Sequence, residues 1–205
     1  LMALGETAGP EVRRALEENI AGEASRLERL VENLLRMAAL ESGAMVPDVR
    51  AVPLEEVLGS ALARLEPLLA GRRVELNIPR DLPPVPMDAV LMEQVFLNLL
   101  ENAAKHTPPG TRIDIMAQVR RHEVVIDVRD HGPGLPPGDH ERLFERFQRG
   151  DRGGPEGYGL GLAICRAVAR AHGGSVTARD NFPSGARFTI TLPLHEHEES
   201  HHPGR

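Results

Sequence analysis

Asn98, Asn102 and Lys105 stand four and three positions apart. On a helix that spacing puts all three on one face. Two amides and an ammonium on one face suit a hydrated Mg²⁺ that bridges phosphates. Magnesium keeps several waters and takes few oxygen ligands from protein. An unliganded polar helix edge accounts for this segment alone equally well. Lys105 is the only lysine among 24 basic residues, which fits a position that arginine cannot fill. A second candidate is Asp130-His-Gly132-Pro-Gly134-Leu135. A carboxylate at a strand end can accept a hydrogen bond from an exocyclic amine, and the glycines let backbone approach a flat base. Taken alone, this is also an ordinary loop. A third segment, 141–150, carries Phe144 and Phe147 on one helix face, where core packing is a stronger reading than ligand contact. In the fourth, Gly157-Tyr-Gly159-Leu160-Gly161-Leu162 opens a helix, so its backbone N–H groups and the helix dipole favour phosphate. It lacks the Gly-Lys-Ser/Thr ending of a Walker loop and follows no strand, so neither a P-loop nor a dinucleotide fingerprint fits.

The elements that must hold these segments alternate between helix and strand. Residues 11–40 read as one long helix: Ala24, Leu27, Val31, Leu34 and Ala38 recur at steps of three and four, and Ile20, Leu30, Leu35, Met37 and Leu40 widen the stripe. A face that wide suits a helical bundle better than a two-stranded coiled coil, and it needs a partner helix. Gly43 and Pro47 mark its end. Next come a helix over 53–70, a strand at Val74, Leu76 and Ile78, and a loop over 81–86. Asp88 is placed to cap a helix that runs to His106. Strands over 112–120 and 123–129 follow, then the glycine-rich stretches 131–138 and 150–161. A helix to His172 and strands over 175–179 and 186–192 close the pattern. The fold class is α+β, a two-layer sandwich with one mixed sheet. Residues 1–46 form the leading helical part, 47–195 the sandwich, and the histidine-rich 196–205 a disordered tail.

Composition narrows the classes. Hydrophobic residues make up 41% of the 205, enough for a core. The net charge is −6 and no basic stripe forms, which argues against nucleic acid as a partner. A single cysteine, Cys165, excludes an internal disulfide and reads as core. No apolar run reaches the length of a membrane span.

The four segments in this order resemble the N, G1, F and G2 boxes of the histidine-kinase catalytic domain. That domain belongs to the superfamily shared with gyrase, Hsp90 and MutL. Residues 184–189, followed by Leu192-Pro193, resemble its closing strand, and 34–43 resemble the end of the second helix of the dimerisation hairpin. The wording over 93–109 and 159–174 is most similar to potassium-responsive kinases of the Kdp type. The resemblance implies a Bergerat-type fold that binds ATP. It implies that Asn102 binds Mg²⁺ with Asn98 beside it and that Lys105 touches phosphates. Asp130 would read the adenine amine, Gly132, Gly134 and Leu135 would shape the base pocket, and Thr189 would lie on its floor. Gly157, Gly159 and Gly161 would hinge and end a mobile lid over the phosphates, Leu160 and Leu162 would belong to the ATP site, and Arg149 or Arg152 would be available to the γ-phosphate. It also implies a homodimer through the hairpin helix, a response-regulator receiver domain as partner, and a cytoplasmic location, with membrane attachment only through segments beyond this chain.

Three departures matter. His106 stands where the family often has tyrosine, so stacking near adenine is weaker and pH-dependent. None of the nine histidines sits in a phosphoacceptor context, so the acceptor helix is expected before Leu1. Asn98 occupies the position, one turn before the Mg²⁺ asparagine, where ATP-hydrolysing relatives carry a glutamate. No carboxylate is therefore aimed at a water, which favours transfer to an outside nucleophile over hydrolysis. An ATP-gated conformational module and a non-catalytic scaffold remain as competing readings.

Overall fold

The computed structural model describes residues 9–147 and 159–194. Helix α1 spans Pro10–Glu41 and stops where Gly43 turns to φ +71. Its wide apolar stripe is only partly buried. Leu30, Leu34, Met37 and Leu40 pack into the core, where Met37 is only 2% exposed, and α1 lies against α5 (Gly161–Ala171). Val12, Leu16, Ile20, Leu27, Val31 and Leu35 are exposed. The end of α1 is therefore part of the sandwich core, while exposed apolar side chains run from Val12 to Leu35 and offer a surface for a second helix.

Two stretches differ from the sequence reading. The helix expected over 53–70 divides into α2 (Leu54–Arg64) and α3 (Glu66–Leu69). Pro67 is the cause, since it has no N–H to continue the ladder and its ring crowds the preceding turn. The loop expected over 81–86 ends in a strand, β3 (Val85–Met87), which pairs antiparallel with β1 (Arg50–Val52). Val85 and Met87 are fully buried, and Pro86 is tolerated because a two-stranded ribbon leaves an edge free of ladder bonds. The mixed sheet is thus accompanied by a small ribbon.

The main sheet runs β2 (Val74–Asn77), β4 (Ile113–Arg120), β5 (Glu123–Asp130), β7 (Ala186–Pro193) and β6 (Ser175–Asp180), with only β2 and β4 parallel. Helix α4 (Ala89–His106) packs against α2 and α5 in the layer above. Asp88 caps α4 by accepting from the N–H groups of Val90 and Leu91. The strand period sorts each residue to one of two faces. Val128 and Phe188, and Ile126 and Ile190, are register partners on the helix-facing side. The last cross-strand row on that side is Val74, Ile113, Asp130, Ala186 and Asp180. Asp130 is therefore a carboxylate at the end of an apolar face, only 6% exposed.

The far face is charged. Its cross-strand row reads Glu75, Asp114, Arg129, Arg187, Arg179. Burial pushes the Asp114 carboxyl up, but the hydrogen bonds and charges of Arg112 and His131 outweigh it and hold the carboxyl below its ordinary value. After the G1 segment a 3-10 helix covers His140–Phe144. Phe144 is buried, edge-on to Phe188 with ring centroids 6.5 Å apart. Phe147 does not share its face: it lies past the helix at φ +60 and is 60% exposed. The expected lid and the expected tail fall outside the described residues.

Candidate functional site

Helix α4 presents Asn98, Asn102 and Lys105 along one face, as their spacing requires. Asn98 is the deepest. Its side chain lies under the start of α5, where a Cβ on Gly161 would sit 3.6 Å from the amide. Its Oδ1 accepts from Gln94 at 3.3 Å, and its buried Nδ2 has no hydrogen-bond partner among the described residues. Asn98 also borders Cys165, whose thiol burial pushes up to about 12 while the amide pulls it the other way. Such a thiol stays protonated, and Cys165 is core, as its sequence context predicted. One turn on, the Asn102 side chain makes no hydrogen bond to a described residue, so its amide is open to a ligand. Lys105 donates to Glu101 at 2.6 Å, one turn back, and both side chains are partly exposed. Exposed i,i+4 pairs contribute only about 0.3–0.5 kcal/mol, so an anion of higher charge displaces Glu101 at little cost.

The start of α5 closes the other side. Leu160 provides no side-chain cap, so the first N–H groups of the helix lack intrahelical acceptors. Gly159 takes φ +67 just before them, and its carbonyl accepts from the N–H of Phe147 at 3.1 Å, which draws the two ends of the 148–158 stretch together. Leu160 is buried and Leu162 packs against the core, so these two anchor the helix start. The uncapped N-terminus and the amide face of α4 meet at Gly161 and Asn98. This combination fits a phosphate chain: N–H donors above, amides and one ammonium below.

Asp130 stands at the far end. Its Oδ1 accepts from the N–H of Gly132 at 2.9 Å and of Ala186 at 3.1 Å. Among the described residues Oδ2 accepts nothing, which leaves it for an exocyclic amine. Gly132 must be glycine, because a Cβ there would lie 2.4 Å from the Thr107 methyl. Gly134 takes φ +86 against Asp180, whose carboxylate holds the N–H of Leu135 at 3.1 Å. Asn181 donates to the carbonyl of Asp130 at 3.0 Å. Asp180, Asn181 and Ala186 escaped sequence reading. The Asp-Asn pair leaving a strand was the available signal, since both side chains bind nearby backbone in turns.

One expected residue is elsewhere. Thr189 pairs with Asp127 in the register and donates to its Oδ1 at 2.6 Å, on the sheet face away from the helices. It cannot floor a pocket that opens on the helix side, and Ala186 is the β7 residue that meets Asp130. Arg149, Arg152 and Gly157 lie outside the described residues. Among the described residues no group of three or more His, Cys, Asp or Glu could hold a metal ion. A cation here would be held by asparagine oxygens and by phosphate, which is the ligand set Mg²⁺ tolerates.

His106 follows Lys105 and feels the charge of Asp130. Desolvation and the Lys105 charge hold its imidazole below the ordinary 6.5, with Asp130 opposing. The ring is therefore neutral at pH 7. In an NMR titration its midpoint is expected below 6.5, to rise in Lys105→Met and to fall further in Asp130→Asn. Insensitivity to both substitutions would remove His106 from this site.

Comparison with known proteins gives a consistent result. The family described as histidine kinase-, DNA gyrase B-, and HSP90-like ATPase matches residues 87–196. The sensor protein KdpD of Escherichia coli is 42% identical over 191 residues, covering 93% of this chain and 21% of KdpD. Full-length ShkA in complex with AMPPNP superposes with TM-score 0.78 at 26% identity, over 92% of this chain and 40% of that one. Histidine kinase ThkA in complex with the response regulator TrrA gives TM-score 0.73 at 25% identity, over 93% and 54%. The chain spans about a fifth of the length of the KdpD relatives it matches. Among the described residues, no helix is long and apolar enough to cross a membrane.

Proposed function

The chain belongs to the histidine kinase-, DNA gyrase B- and HSP90-like ATPase family, and we propose that it is the ATP-binding catalytic region of a two-component sensor histidine kinase. The observation that carries this reading is the meeting of the α4 amide face with the uncapped start of α5, with Asp130 at the far end of the same space. Asp130 Oδ2 takes the adenine amine. Asn102 and Asn98 hold Mg²⁺ together with the phosphates, and Lys105 leaves Glu101 for the phosphate chain. In the transfer, the bond from the γ-phosphorus to its bridging oxygen breaks, a phosphorus–nitrogen bond forms on the acceptor imidazole, and ADP leaves. Asn98, in place of a glutamate, offers no base to activate water, which favours transfer over hydrolysis.

Further assignments rest on this reading. The exposed stripe of α1 pairs with hairpin helices of its own and a second copy. The product phosphohistidine passes its phosphoryl group to a receiver aspartate of a response regulator, as the ThkA–TrrA complex suggests by analogy. The region works on the cytoplasmic side of a membrane-bound receptor of the KdpD kind. The competing reading, a gyrase- or Hsp90-type ATPase, requires steady ATP turnover by this chain alone.

The test uses γ-labelled ATP. The chain alone is expected to take no label, since no histidine lies in an acceptor context. A separate hairpin fragment carrying an acceptor histidine is expected to gain acid-labile label, slowly and in proportion to concentration, because covalent proximity is lost. Label on this chain alone would mean that the acceptor has been misidentified. An unlabelled fragment alongside proven ATP binding would reduce the chain to a nucleotide-binding module.

A further inference from the structure

We propose that Arg72, which belongs to none of the four sequence segments, is a positioning residue for the nucleotide site. Through Thr107 it sets the spacing between the amide face of α4 and the base-reading loop. The inference rests on the nucleotide reading given above.

The geometry starts at the end of α4, where the last carbonyls lack helical N–H partners. One terminal nitrogen of Arg72 donates to the carbonyls of Ala104 at 2.7 Å and Thr107 at 3.1 Å. The other donates to the Thr107 hydroxyl at 2.7 Å, and that hydroxyl donates to the carbonyl of Ala103 at 2.6 Å. A planar guanidinium can serve these three acceptors together, whereas an ammonium presents its donors from one point. Arg72 is itself anchored. Gly71 turns at φ +78 after α3, the Arg72 N–H bonds to the carbonyl of Leu69, and the next residue's carbonyl accepts from Ile113 at the start of β4. The guanidinium thus ties the end of α4 to the root of the sheet.

Thr107 carries that position onward. It is buried, and its methyl lies so close to Gly132 that a Cβ there would be 2.4 Å away. The Gly132 N–H in turn holds Asp130 Oδ1 at 2.9 Å. A shift of Thr107 therefore moves Gly132 and re-aims the carboxylate that reads the base. The same shift moves Lys105 and His106, two residues and one residue earlier in the chain. A simple helix cap would lower stability and leave base selection alone. A positioning residue alters the preference for adenine over guanine, because Asp130 accepts from an amine that guanine does not present there.

The experiment is calorimetry with ADP and GDP, well below the melting transition of each variant. Loss of charged hydrogen bonds corresponds to roughly a tenfold change. Arg72→Met is expected to lose about that in ADP affinity and to narrow the ADP-over-GDP preference. Arg72→Lys is not expected to rescue it, and it makes the same comparison if the methionine variant does not fold. Thr107→Val keeps the methyl and removes the hydroxyl, and is expected to show a similar loss. The double variant should then be no worse than either single one. Unchanged ADP affinity and selectivity in Arg72→Lys and Arg72→Met, or additive losses in the double variant, would overturn the proposal. Failure of the unsubstituted chain to bind ADP would instead overturn the nucleotide reading, and this inference with it.

Discussion

Asn102→Asp is expected to weaken ATP binding about 100-fold without Mg²⁺, and by less with it. The α4 face already carries the Glu101 carboxylate, balanced by the Lys105 ammonium at 2.6 Å. A phosphate chain draws Lys105 away and leaves Glu101 unbalanced. A second carboxylate at 102 then faces phosphate oxygens from a helix position whose amide has no hydrogen-bond partner among the described residues. Two unit charges about 6 Å apart at an effective dielectric of 20 repel by roughly 3 kcal/mol, which is about the stated factor. Mg²⁺ offsets part of this, so the loss should be larger for ATP without the metal than with it. Isothermal calorimetry with and without Mg²⁺ measures both. Equal affinities for the variant and the unsubstituted chain would remove Asn102 from the phosphate end of the site.

Gly185→Ala is expected to disrupt the base-reading corner and lower the melting temperature by about 10 °C. Gly185 sits at φ +105, where a side chain is strained in any surroundings. Its added Cβ would lie 1.9 Å from the Asp130 carbonyl oxygen, 2.6 Å from the carbonyl carbon and 2.9 Å from the His131 Cα. All three are backbone atoms, so no rotamer change relieves the clash. The same carbonyl is held by Asn181, whose own N–H bonds to the Gly185 carbonyl at 2.8 Å. The chain must separate β5 from the start of β7, which also breaks the Ala186 bond to Asp130. A strained backbone plus overpacking costs at least about 3 kcal/mol, equivalent to roughly 6–12 °C at this size. Gly59→Ala is the contrast. Gly59 lies within α2, with nothing within 4 Å of an added Cβ. That substitution should stabilise by about 0.5–1 kcal/mol through helix propensity. Thermal melting of both variants decides the matter, and equal behaviour would mean that the Gly185 contact is not as close as described.

Much of the site was legible because its spacing is local. Asn98, Asn102 and Lys105 follow one helix period, and Asp130 directly precedes the glycines that let a base approach. The Asp88 cap was legible for the same reason, since a cap acts within three residues of its helix. Other features left no such trace. Thr189 lies in a strand whose alternate residues face opposite sides, and a one-residue difference in assignment changes the face. Pro86 argued for loop, and only its pairing with Ala51 makes 85–87 a strand.

Residue type and spacing alone fixed the kind of chemistry: amides and a lone lysine on one helix face, a carboxylate beside glycines, and a glycine-led helix start. Those are properties of residue type at a fixed period, and the backbone geometry of helices and strands reads them out directly. The tertiary structure decided which groups meet. It put Asn98 beneath Gly161, gave Lys105 to Glu101, bound Arg72 to Thr107 across 35 positions, and turned Thr189 toward Asp127. It also divided the stripe of α1 into residues that join the core and residues left open. Contacts between residues far apart in the chain depend on register, helix packing and turn geometry together, and no single periodicity encodes them.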